Sequence, residues 1–229
     1  MTIIRVFCGH DEREAVGSYV FMSSVLRRSS QPVSFLPLHI PNLKGYAEEH
    51  KDGSNSFIYS RFLVPWISGY YGMAIFADGA DMLCRADIAE LWAYADPFMA
   101  VQVVKHDYIS QHTRKYVGTK MEAPNDNYSR KNWSSLMIVN CAHRAWRQIT
   151  PESIGNMTGP QLHRFTFIDE RFIGELPHEW NHLVTEYPHN QNAKIAHFTL
   201  GVPAFKHYQY CPFASEWQDE LRQVTKATD

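Results

Sequence analysis

Cysteine is scarce in this chain: four among 229 residues, at Cys8, Cys84, Cys141 and Cys211, with no C-x-x-C pair. That spacing argues against a zinc ribbon. Cys8, Cys84 and Cys141 sit in apolar runs and read as small buried hydrophobes of a reduced, cytoplasmic chain. Excess positive charge is missing as well: 22 Lys and Arg face 24 Asp and Glu, for a formal net charge of −2. Nucleic acid is therefore not expected as the main partner. A phosphorylated small molecule needs only a few local donors and stays open. No apolar run reaches the roughly 20 residues of a membrane span. The opening "MTIIRVFCGHDERE" is interrupted too soon for a signal peptide. Peripheral contact with the inner membrane surface stays open. Repeats and linkers are absent too, so residues 1–229 read as one domain.

Apolar residues make up 45% of the chain and aromatics 14%, which is the composition of a globular protein with a sizeable core. "TIIRVFCG" (Thr2–Gly9) is β-branched, apolar and closed by glycine, as a buried strand is. "DEREAVGSYVFMSSVLRRSS" predicts a helix, with Asp11 as candidate cap and Ala15, Tyr19, Met22 and Leu26 as its apolar stripe. "PVSFLPLHI" is a second strand, and β-α-β order points to a parallel α/β sheet flanked by helices. Lys44–Phe57 reads as a loop. "FIYSRFLVPWISGYYG" predicts a helix bent at Pro65. "MAIFAD", "MAVQVVK" and "SSLMIVNC" are strand-like, "TPESIGNMTGPQLHRFT" a helix and turn, "AKIAHFTLG" a late strand, and "SEWQDELRQVTKA" a terminal helix. His106–Asn132 is long and polar, as functional lids are.

The stretch "GMAIFADGADMLCRADIAELW" (Gly72–Trp92) carries the chemistry. Asp78 and Asp81 fall just past a buried strand, and Gly79 permits a tight turn between them. In open α/β sheets ligands bind beyond the carboxyl ends of the strands. Two carboxylates held together repel each other unless a cation joins them. Carboxylates suit hard divalent cations, which keep coordination positions free for phosphate oxygens. The alternative is a solvated turn in which Asp81 merely caps a helix.

"AIFADGADMLCRADIAELW" resembles the strand and D-x-D turn of glycosyltransferases with the GT-A fold, especially the family-8-like enzymes. The downstream match runs through Asp87, Ile88, Glu90 and Leu91, while the turn, D-G-A-D, is one residue longer. Other blocks follow in order. "FIYSRFLVPWI" resembles the block whose arginine approaches the donor, here Arg61. "NWSSLMIVNC" resembles the sugar-site strand, with Asn132, Ser134 and Ser135. "FIDERFIGELPHEWNHL" resembles a D-Q-D-x-[LF]-N…L-P-x-x-[WY]-N block, with Asp169 in place and Glu170 where the family has Gln. "IAHFTLGVPAF" resembles the H-[FY]-x-G-x-x-K-P-W segment, with His197 and Gly201. The phosphate-binding lysine is absent from its usual offset, and Lys206 lies three residues late.

The resemblance, spanning about residues 3–205, implies a Rossmann-like, mostly parallel sheet and a retaining, metal-dependent hexosyl transfer. It implies Mn²⁺ or Mg²⁺ held by Asp78, Asp81 and His197, with a UDP-sugar as donor. Cys8, Gly9 and Asp11 would lie at the nucleoside, Gly79 and Ala80 in the metal turn, and Arg61, Lys131 and Lys206 near phosphate. Asp169, Glu170 and Arg61 are the candidate catalytic groups, Glu170 as nucleophile or as a hydrogen-bonding stand-in for Gln. The acceptor would be a glycan or lipid-linked glycan. Two rival readings are a nucleotide-sugar-binding module without turnover and a metal-dependent phosphohydrolase, the latter short of ligands for a second metal.

Overall fold

The computed structural model describes residues 3–226. Thr2 of the expected first strand and Ala227 of the expected last helix lie outside that range. The strands, in chain order, are β1 (Ile4–Gly9), β2 (Val33–Leu38), β3 (Met73–Ala77), β4 (Met82–Cys84), β5 (Val101–Val103), β6 (Arg114–Lys115), β7 (Ala123–Pro124), β8 (Leu136–Asn140), β9 (Ile173–Glu175), β10 (His182–Leu183) and β11 (Ile195–His197). The helices are α1 (Ala15–Leu26), α2 (Val64–Ile67), α3 (Ile88–Trp92), α4 (Pro151–Gly155), α5 (Gly159–His163) and α6 (Ala214–Thr225).

The central sheet has six strands in the order β2-β1-β3-β8-β5-β9. All run in one direction except β8, which is antiparallel to both β3 and β5. The α/β, mostly parallel architecture expected from β-α-β order is therefore present, with one reversed strand. Side-chain alternation along β1 splits the core: Ile4, Val6 and Cys8 pack on one face with Phe21, Val25 and Ile88, while Phe7 packs on the other with Phe57, Phe62 and Trp146. Pro37 sits in β2, an edge strand, where its missing N–H breaks no ladder. A second sheet, β10-β11-β4, brings the end of β11 beside the residues that follow β3.

Two expectations need correction, and one alternative reading falls away. The face that α1 buries is Gly17, Ser18, Val20, Phe21, Ser24 and Val25, not the Ala15–Tyr19–Met22–Leu26 stripe, and Tyr19 and Leu26 are more than half exposed. The cause is Gly17: a Cβ there would stand 1.7 Å from Ala80 O, so only glycine lets the helix rest on the Asp78–Asp81 turn. Around Pro65 there is no long bent helix but a 3₁₀ turn (Ser60–Leu63) followed by α2, with the proline in its first turn where a missing N–H costs nothing. Finally, Asp81 caps no helix. It leads into β4, and α3 is capped by Asp87, whose Oδ1 accepts from Ala89 N.

The segment 106–132 contains only the two-residue ladder of β6 and β7. Helices α4 and α5 each begin with a capping box, on Thr150 and Thr158, with proline in the first turn. The cysteines are unpaired, and burial pushes the Cys8 and Cys84 thiols up to about 12.

Candidate metal and nucleotide site

Strand β3 ends at Ala77, and the chain then turns sharply. Gly79 adopts φ +67°, and Ala80 N donates to Asp78 O at 2.6 Å. This tight turn absorbs the extra residue of D-G-A-D. Asp78 and Asp81 both end up buried, 7% and 3% exposed, and face the same way. Two backbone bonds hold them: Asp78 N donates to Ser135 O at 2.8 Å, and Phe198 N donates to Asp81 O at 2.8 Å. The second bond also pins the end of β11, where His197 enters the same space.

Asp78, Asp81 and His197 each present a ligand atom, and these lie within 4.8 Å of one another. His197 Nε2 is 3.3 Å from Asp81 Oδ2 and 3.9 Å from Asp78 Oδ2. The other ring nitrogen is engaged. Asn181 Nδ2 donates to Ser135 Oγ (2.9 Å), which donates to Asn132 O (2.7 Å), so Asn181 Oδ1 is left to accept from His197 Nδ1–H (2.9 Å). This relay assigns the tautomer whose Nε2 lone pair faces the two carboxylates. A lone pair and two buried carboxylates converging is repulsive until a cation joins them, and Asp81 Oδ1 is buried without a hydrogen-bond partner. The residues therefore fit a divalent cation. Oxygen and imidazole nitrogen together suit Mn²⁺ better than Mg²⁺.

Charges around the site are arranged to sustain this. Burial pushes the Asp78 carboxyl up to about 6, with Arg61 opposing and Asp81 adding to the rise. Arg61 Nη1 is 2.6 Å from Asp78 Oδ1 and donates to Ser134 O at 3.0 Å, while Nε donates to Ile58 O at 3.0 Å. The arginine is 4% exposed, and fixing it on two carbonyls aims its charge at Asp78. His163, bonded to Ser134 Oγ at 2.7 Å, is held neutral by burial, with Arg61 and Lys115 lowering it further. Glu14, buried at the start of α1 with neither carboxylate oxygen bonded, is raised well above the usual carboxyl range by burial, then by Asp81, Asp11 and Asp78.

Among the residues singled out from sequence, Arg61, Asp78, Asp81, Asn132, Ser134, Ser135 and His197 line one cavity of about 60 Å³. Gly79 and Ala80 form the turn behind it. Cys8 and Gly9 lie beneath that turn: a Cβ on Gly79 would come 2.9 Å from Cys8 Cβ, and one on Gly9 2.6 Å from Asp78 O. Asp11 is saturated elsewhere, accepting from Arg13 and, at 2.9 Å, from Ser56 N. Burial pushes its carboxyl up, but these hydrogen bonds prevail and hold it below the usual range.

The other residues are not brought to the cavity. Asp169 is exposed and caps the 3₁₀ turn Glu170–Phe172, and Glu170 is exposed and paired with Arg130. Lys131 Nζ donates to Asn125 Oδ1 at 2.8 Å and lines a neighbouring cavity of about 280 Å³. Lys206 is exposed in a third depression. Gly201 lies behind the site, where a Cβ would come 2.3 Å from the Tyr208 ring. Sequence reasoning missed Asn181, Lys115, Tyr116, His163 and Thr199. Only Asn181 carried a signal, as the last residue of the "LPHEWN" block.

No protein-family model matches the chain. Protein CDI of Arabidopsis thaliana is 37% identical over 231 residues, covering 97% of this chain and 87% of the relative. Solved structures share the fold at low identity. Glycosyltransferase GlyE of Streptococcus pneumoniae superposes with a TM-score of 0.60 at 11% identity over 96% of this chain, which spans 60% of GlyE's length. The galactosyltransferase LgtC, solved with donor and acceptor sugar analogs, gives 0.57 at 11% identity over 99% of this chain and 98% of its own. Mouse xyloside xylosyltransferase 1 gives 0.55 at 13% identity, over 87% and 98%.

Proposed function

Because this chain belongs to the family of the Arabidopsis thaliana Protein CDI and has the GT-A fold, we propose that it transfers a hexose from a UDP-linked donor to a hydroxyl of a glycan or lipid-linked glycan, with retention of configuration. One observation carries the reading: Asp78, Asp81 and His197 converge at the carboxyl end of β3 with their ligand atoms within 4.8 Å. That is the place where open α/β sheets bind ligands.

Asp78, Asp81 and His197 Nε2 would hold the cation, Mn²⁺ by the donor set. The chemistry supplied by such an ion is Lewis-acid neutralisation of the diphosphate as it departs. The chain's own residues do the rest. Asn181 holds the His197 ring in its tautomer. Arg61, fixed by Ile58 O and Ser134 O, keeps Asp78 oriented and adds positive charge beside the leaving group. The bond from the anomeric carbon to the phosphate oxygen breaks as one to the acceptor oxygen forms, and the acceptor's proton passes to the departing phosphate oxygen. Asp169 and Glu170, outside the cavity, take no part as nucleophile.

One wall of the carboxylate cavity is segment 106–132, which contributes Lys115, Tyr116, Tyr128 and Asn132. It carries Tyr116, Arg130 and Asn132 at positive φ, conformations that store strain. The larger neighbouring cavity, which shares Tyr128 with the carboxylate cavity, offers room for the acceptor. Unpaired cysteines support a reducing compartment, the cytoplasm, and no helix among the described residues is long and apolar enough to cross a membrane.

The test is a thermal-shift panel of UDP, GDP, ADP and CDP with and without Mn²⁺. Metal-dependent stabilisation by UDP is the expected outcome, by mass action on the folded state. A flat response to all four overturns the reading. A second reading, donor binding without turnover, draws on the position of Asp169 and Glu170 outside the cavity. Cleavage of UDP-hexose with Mn²⁺ present would decide against it.

A further inference from the structure

Positive charge at the site is one short. Asp78 and Asp81 bring two negative charges and Arg61 one positive, so a divalent cation on the carboxylates raises the total to plus one. The diphosphate of a nucleotide-sugar carries two negative charges at neutral pH. Neither lysine singled out from sequence supplies the difference: Lys206 is exposed in another depression, and Lys131 is bonded to Asn125 in the neighbouring cavity.

The lysine that lines the carboxylate cavity is Lys115, at the end of β6. Its ammonium forms no ion pair and no side-chain hydrogen bond among the described residues, although Asp78, Asp81 and Arg61 share the cavity with it. Burial lowers its pKa and the charges of Asp81 and Asp78 oppose that fall. Its backbone is held in place. Tyr116 N donates to Leu200 O at 2.7 Å, and Val117 N donates to Tyr208 Oη at 2.9 Å. Tyr208 in turn packs over Gly201, where any side chain would displace it. The His197–Gly201 segment therefore positions a lysine borrowed from a hairpin eighty-odd residues earlier.

We propose that Lys115 is the phosphate-binding cation of this site, receiving the diphosphate of the nucleotide-sugar opposite the carboxylate-held metal. The assignment rests on the glycosyltransferase reading above and goes beyond it by naming which residue replaces the missing lysine. A compact ammonium on a flexible four-carbon stem suits this task, because its side chain can follow the diphosphate while its backbone stays fixed.

The experiment is calorimetric titration of the full chain with Mn²⁺ alone, with UDP plus Mn²⁺, and with inorganic pyrophosphate plus Mn²⁺, which is independent of the base. Lys115→Met should weaken UDP and pyrophosphate binding roughly 10- to 100-fold, the loss of one charged hydrogen-bonding partner. Mn²⁺ alone should bind the variant at least as tightly as wild type, since a like charge has been removed. Lys115→Arg should recover most of the pyrophosphate affinity, and Lys206→Met should change none of it. Lys115→Gln, read against Lys115→Arg, gives the same comparison should the Met variant fold poorly. Equal pyrophosphate and UDP binding by wild type and the neutral variants overturns the assignment alone. Equal loss of Mn²⁺ binding also overturns it, because Lys115 would then only hold the carboxylates in place. A wild-type protein that binds neither probe with Mn²⁺ removes the glycosyltransferase reading and this assignment together.

Discussion

Asn181 Oδ1 lies 2.9 Å from His197 Nδ1, and this one contact decides which face of the imidazole the two aspartates see. Asn181 forms no hydrogen bond with either of them; its side chain bonds Ser135 and His197. Its effect on the site passes through the ring it orients. Asn181→Leu leaves the ring free to turn or to change tautomer, so Mn²⁺ affinity should fall about 10- to 100-fold, as for other residues that orient metal ligands. Titration of Mn²⁺ by electron paramagnetic resonance measures this. An unchanged affinity would mean that packing alone fixes His197.

Arg61 and Asp78 form a buried pair whose side chains are 4% and 10% exposed. Breaking such a pair by removing one partner costs about 3–5 kcal/mol, because the remaining charge stays buried. Arg61→Met should lose stability of that order in urea denaturation of the metal-free protein. Adding Asp78→Asn should restore part of it, since the stranded carboxylate is then gone. A double variant no more stable than Arg61→Met would show that the arginine acts through its carbonyl contacts.

Gly17 supports the metal turn from behind. Alanine there collides with Ala80 O, so α1 must withdraw from the turn or the turn must shift. Overpacking of this kind costs about 1–3 kcal/mol. Gly17→Ala should lower the melting temperature and weaken Mn²⁺ binding together. Loss of stability with intact metal binding would show that α1 and the turn move as one body.

Glu14 gives a pH signature. Its carboxyl is raised well above the usual value, by burial first and then by Asp81 and the other nearby acids. The folded protein thus keeps a proton that the unfolded chain releases near pH 4.5. Its contribution to stability is present below that value and is lost as pH rises through the folded pKa. Glu14→Gln removes this slope. Urea midpoints of the metal-free proteins at pH 5, 6.5 and 8 should therefore diverge in favour of the variant as pH rises, and parallel curves would contradict the assignment.

Glu170 stands where the resembled family has glutamine, but it is exposed and paired with Arg130. Glu170→Gln should leave the rate of UDP-hexose turnover within about twofold of wild type, a difference well under 1 kcal/mol. A collapse of turnover would restore the nucleophile proposal.

Much of this protein is written locally in its sequence. The apolar runs ending in Gly9 and Ala77 and the turn glycine at Gly79 rest on interactions between near neighbours, and near neighbours can be read from a linear pattern. The two aspartates were legible as a pair just past a buried strand, but their spacing alone left a solvated turn as open as a shared cation, and it is the convergence with His197 that favours the cation. Tertiary structure decided what no local pattern encodes. It chose the buried face of α1 through a collision between Gly17 and Ala80, sixty-three residues apart. It ran β8 against its neighbours, and it set Asn181 on the far side of His197. It also carried Lys115 into the cavity from a polar segment without a motif, while Lys206, the lysine nearest the family's usual position, turned outward. Charge and coordination are satisfied in three dimensions by whichever group the packing delivers, so the chain fixed the chemistry required and the fold selected the residue that meets it.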